Sequence, residues 1–102
     1  MAQDKFIVRN IPIDIFKDHQ TGQFIVHSPV LDLSSCGKTS AQALKSFNEA
    51  VQLFLSELER MGTMDDVLPE LGWQKVKRPG FGWIPPEIIR HKKVAIRMPA
   101  YA

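Results

Sequence analysis

The sequence predicts an α+β domain: a small antiparallel sheet of three to four strands packed on one long α-helix. The predicted order is β-β-β-α-β, with a short extra helix after the long one. Three observations lead there. Residues 40–61 carry the only long helical pattern in the chain. Two strand-like runs, 5–16 and 23–28, are joined by so short a loop that they must form an antiparallel hairpin. A further alternating run, in which Val94, Ile96 and Met98 flank Ala95 and Arg97, reads as a last strand.

The helix is the best-defined element. Leu44, Phe47, Val51, Phe54, Leu55, Leu58 and Met61 recur at spacings of three and four, so they share one face. Lys45, Asn48, Glu49, Gln52, Ser56, Glu59 and Arg60 occupy the other. Thr39 is an apt N-cap, Gln42 stands where a capping box closes, and Gly62 suits the left-handed residue after the last turn. Such a helix is roughly 33 Å long, and in a chain of 102 residues the rest must pack on it.

Residues 5–16, KFIVRNIPIDIF, alternate through Ile11, Ile13 and Ile15. Pro12 cannot donate to a ladder, which favours an edge position or a bulge. Residues 17–22 read as a turn in which Gly22 supplies a positive φ. On the return strand, 23–28, Phe24 and Val26 face one way and Ile25 and His27 the other. Residues 31–38 supply a short third strand leading into the helix. Beyond Gly62, Thr63 can cap a short helix over MDDVLPELG, with Asp65 and Asp66 in its first turn. Residues 73–86 are rich in Pro, Gly and Trp and read as a loop with a short strand at 74–77.

Composition sets further bounds. The chain reads as one domain, 44% hydrophobic and 24% charged, with 73–102 a basic, aromatic-rich extension carrying the last strand. No apolar run approaches a membrane span, and the charged start lacks the apolar region of a signal peptide. A single cysteine, Cys36, forbids an internal disulfide, so the expected location is the cytoplasm. Net charge is divided unevenly. Residues 1–72 hold six Lys/Arg against ten Asp/Glu, or −4, whereas 73–102 hold seven against one, or +6. That division predicts two different partner surfaces.

No catalytic set emerges. His19, His27 and His91 are far apart and stand in no metal-binding motif. Ser34, Ser35 and Cys36 lie in a turn without a nucleophile-elbow pattern. Asp14, Asp18, Asp32 and Glu49 do not share one face as a metal-dependent nuclease would require. The expectation is a non-enzyme with no metal and no cofactor. The most suggestive chemistry is the basic tail: Lys75, Lys77, Arg78, Arg90, Lys92, Lys93 and Arg97, interleaved with Trp73, Phe81, Trp83 and Tyr101. Cations take phosphates and aromatics stack on bases, so these seven are candidate nucleic-acid contacts. The competing reading is that the Trp side chains cover the open end of the core and the cations are solvated.

One combination is familiar. Gly22, Phe24, Val26, Ser28, Pro29, Leu31, Gly37, Thr39 and Ala43-Leu44 follow the pattern G-x-F-x-V-x-S-P-x-L, then G-x-T and a long helix. Over residues 5–62 and 93–98 the chain thereby resembles the HicB-like antitoxins, whose domain is a partial RNase H-like fold. The resemblance implies a non-catalytic module that binds and neutralises a small basic ribonuclease toxin, as in a type II toxin–antitoxin system. The −4 body would complement such a partner. Residues 63–102 are too short and too rich in Pro and Gly for the DNA-binding domain that such antitoxins often carry. Homo-oligomerisation through an edge strand, such as one near Val94, is also expected. The alternative function is a small nucleic-acid-binding module acting through the basic tail.

Overall fold

The computed structural model describes residues 8–77 and 82–101. The architecture is α+β, as the sequence predicts. A three-stranded antiparallel sheet, β1 (Asp14–Lys17), β2 (Phe24–Ser28) and β3 (Leu33–Gly37), has the order β1-β2-β3 and packs against the long helix α1 (Ser40–Met61). A short helix α2 (Met64–Glu70) follows. A two-stranded hairpin of β4 (Gln74–Lys75) and β5 (Trp83–Ile84) completes the regular structure.

Register explains the faces. Ile15 pairs with Val26 and Val26 with Ser35, so these three share one face of the sheet, on which Val26 is buried and Ile15 is left exposed at the edge, whereas Asp14, His27 and Ser34 share the outer face. β1 is shorter than expected, beginning only after Pro12, whose missing N–H cannot join a ladder. Ile11 and Ile13 still pack against the core from the segment preceding the strand. The expected strand residues before Val8 lie outside the described residues. The turn closes on Asp18, whose carboxylate accepts from the Thr21 backbone N–H at 2.8 Å and its hydroxyl at 2.7 Å. Gly22, at φ +73°, completes it.

The β2–β3 connection is part of the core. Ser28 is fully buried, and its hydroxyl accepts from the Leu31 N–H at 3.2 Å. That bond folds Val30 and Leu31 inward, where they join Leu58 and Leu68. At the other end of the sheet, Val26, Ala43 and Phe47 form a second buried group. The Thr39 hydroxyl caps α1 by accepting from the Gln42 N–H at 3.1 Å, but the Gln42 side chain accepts from Lys38, not from Thr39. Gly62, at φ +69°, ends the helix, and the Thr63 N–H bonds back to the Leu58 carbonyl. Thr63 starts α2 through its backbone carbonyl; its side chain makes no cap bond.

Two long-range bonds fasten the later segments. Trp73 Nε1 donates to the Val30 carbonyl at 2.7 Å, and Arg9 Nε donates to the Trp83 carbonyl at 3.0 Å. The expected last strand is not formed: the described residues after β5 are in no strand and pair with no other described residue. Alternation marks which side chains share a face, but a strand exists only with a neighbour to bond. Residues 87–101 instead run as an exposed arm. The radius of gyration is 16.9 Å and the long axis 62 Å, against about 13 Å for the radius of a compact chain of this length.

Candidate functional site

The seven basic positions do not form one patch. Lys75 sits on β4, where its ammonium pairs with Asp65 at 2.9 Å and lies 5.8 Å from the centre of the Trp83 ring. It is therefore occupied within the domain. Lys77 is exposed just beyond β4, and Arg78 and Phe81 lie outside the described residues. Arg90, Lys92, Lys93 and Arg97 are all on the arm, exposed, and make no ion pair among the described residues. Trp73 and Trp83 both pack against the core. Both are half-buried there, which leaves less of each ring free for base stacking.

The arm carries a second feature that charge alone conceals. Ile89, Val94, Ile96, Met98 and Tyr101 are between 71% and 91% exposed. No hydrogen bond among the described residues holds 87–101 to the body. Val94, Ile96 and Met98 alternate at the period of a strand and pair with no described residue, and large apolar side chains left in water mark a candidate interaction surface. The sequence signal for it was the alternation itself, which reads equally well as a strand of the chain's own sheet.

Among the described residues, two sheet edges are open to such pairing. The outer edge of β1 is unpaired, and Ile15 and Phe16 on that strand are exposed. The outer edge of β3 is likewise unpaired. The acidic residues gather elsewhere. Glu49, Glu57, Glu59, Asp65, Asp66 and Glu70 all stand exposed from the middle of α1 onwards and on α2. Arg60 engages Glu57 at 2.6 Å and Lys75 engages Asp65, leaving a net negative helical end. Exposed ion pairs of this kind contribute little stability, so they can be exchanged for a partner's cations.

Nothing in the described residues assembles a metal site: no group of three or more His, Cys, Asp and Glu is in place to hold an ion. His27 Nδ1 and Ser34 Oγ are 2.7 Å apart, but they face each other across β2 and β3 on the open side of the sheet. No carboxylate bonds to the ring among the described residues, so this is a cross-strand contact without the third group that orients a base. Cys36 is free and exposed on β3. Among the described residues, no helix is long and apolar enough to cross a membrane.

No family model, no curated protein and no solved structure matches this chain.

Proposed function

We propose that this chain is a non-catalytic, antitoxin-like protein-binding module of the cytoplasm, which captures and neutralises a small basic ribonuclease toxin. The observation that carries this reading is the arm. A segment that leaves five large apolar side chains in water, with no backbone bond to the other described residues, gains most by adding a strand to another protein's sheet. In that mode main-chain bonds provide affinity and alternate side chains provide specificity. The acidic end of α1 and α2 supports a basic partner, because opposite charge speeds encounter and suppresses wrong partners.

The residues behind the resemblance support the fold side of the same reading. Gly22 turns the hairpin, Val26 and Leu31 fill the core, and Thr39 caps the helix. Each has a structural task, so the motif speaks for a scaffold, and the arm and the acidic end supply the binding surfaces. The same arm can also pair with the free β1 edge of a second copy. Light scattering at micromolar concentration tests this self-association, and a monomer mass contradicts it.

The test of the main reading is affinity capture from the native host with the full chain, followed by an RNA-cleavage assay of what is captured. The expected outcome is a small basic protein that cleaves RNA alone and is silenced by stoichiometric addition of this chain. Capture of no basic protein, or cleavage undiminished by the chain, contradicts it.

The four cations of the arm, unpaired among the described residues, favour one second reading, in which the arm binds nucleic acid. It predicts affinity for RNA or DNA that falls steeply with salt and is lost in the double variant Lys92→Glu, Lys93→Glu. Binding unchanged by that variant refutes it.

A further inference from the structure

The arm and the open edge of β1 are complementary residue by residue. β1 is an outer strand of its sheet, and Ile15 and Phe16 on it are exposed. Pro12 precedes it and the Asp18 turn follows it, so the free edge runs over 13–18. The arm carries a run of the same length, 93–98, closed by Pro99.

Laid antiparallel with Ile96 opposite Ile15, the two runs match along their length. On one face Met98 falls opposite Ile13 beside the Ile96–Ile15 pair. On the other, Arg97 falls opposite Asp14 and Lys93 opposite Asp18. Pro99 comes opposite Pro12, so both runs stop at a residue that cannot donate to a ladder. Opposite charges facing each other across strands stabilise a pairing, and like charges oppose it. A slip that sets Val94 against Ile15 brings Lys92 against Lys17, and the opposite slip brings Pro99 against Asp14. A parallel pairing centred on the same two isoleucines gives no opposite-charge pair. The other open edge, β3, has no acid between Leu33 and Gly37 to meet the cations of the arm.

We propose that the arm pairs with β1 of a second copy of this chain in that antiparallel register, which the Asp14–Arg97 pair fixes. A two-fold axis makes the exchange reciprocal: each chain gives one strand and receives one, so the assembly closes at two copies. The inference shares the arm with the partner-binding reading but requires no other protein. Failed capture of a toxin therefore leaves it standing, and its own failure leaves capture standing.

The test joins two full-length chains, both carrying Cys36→Ser to remove the single cysteine. One carries Ile15→Cys and the other Ile96→Cys. With one thiol per chain, every disulfide is between chains, and directly opposite residues in a sheet lie within disulfide reach. Under mild oxidation the 15–96 link should predominate over like-with-like links, and over the 15–94 link formed when Val94→Cys replaces Ile96→Cys. Asp14 and Arg97 are both exposed, so their variants keep the fold. In sedimentation equilibrium Asp14→Lys and Arg97→Asp should each weaken dimerisation about tenfold, because the axis repeats the pair. The chain carrying both substitutions, with the pair reversed, should regain most of the loss. A monomer at every concentration, as pairing of the arm with its own β1 would give, overturns the proposal. Links as frequent at 94 as at 96, or no recovery in the double variant, overturn it equally.

Discussion

Gly37 lies against the first turn of α1 so closely that a Cβ at position 37 would stand 2.5 Å from the backbone nitrogen of Ala43. That contact joins the last residue of β3 to the helix that covers the sheet. It also accounts for Ala43, which is fully buried: only a small side chain fits where the two backbones meet. Gly37→Ala is therefore expected to destabilise the fold by about 1–3 kcal/mol, the usual range for overpacking. Urea denaturation checks this, with a lower midpoint and an unchanged slope as the expected outcome.

Trp73 fastens the β4–β5 hairpin to the β2–β3 turn through its bond to the buried Val30 carbonyl. Trp73→Phe keeps most of the ring but leaves that carbonyl without its partner. The expected cost is about 1–3 kcal/mol, read by thermal or urea unfolding. A stability equal to that of the parent would mean that the bond contributes nothing net.

Asp18 is held below its ordinary pKa of 3.8, first by the Thr21 hydroxyl and then by the Thr21 backbone N–H. A lowered folded-state pKa stabilises the protein above the unfolded-state value, and that stability is lost as the pH falls through the folded-state value. Asp18→Asn should thus be less stable than the parent at neutral pH. The gap should close as the pH drops below about 3.8, which melting temperatures of the two proteins across an acid titration will follow.

Among the described residues the arm makes no hydrogen bond to the body, so removing it should cost the body almost nothing. A chain ending after Pro86 is expected to unfold within about 0.5 kcal/mol of the parent, as for a change at an uninvolved surface. A larger loss would mean that residues 87–101 contribute to the core. The same truncation should end capture of the basic partner.

Much of this fold could be read from residue order alone, because local chemistry determined it. α1 has the predicted bounds, since an unbroken apolar stripe is closed by Thr39 at one end and Gly62 at the other. The Gly22 turn and the inward face of β2 followed from glycine geometry and alternation in the same way. Features that depended on a distant partner were not legible. Met61 belongs to the stripe by spacing, yet it is 61% exposed. Val94, Ile96 and Met98 alternate like a strand, but no sequence pattern says whose sheet a strand will join. Lys75 looked like a free cation until Asp65, ten residues earlier, was brought beside it. Arg9 gave no signal, because its partner Trp83 is 74 positions away.

The central claim is that residues 87–101 are the partner-binding element, and amide hydrogen exchange of those residues tests it most directly. In the free monomer their amides should exchange at rates near those of an unstructured chain, since no described residue bonds them. On saturation with the captured basic protein, amides from about Arg90 to Met98 should slow markedly and together, as they do when a strand joins a sheet. Unchanged exchange along the arm while the partner is demonstrably bound would contradict the account.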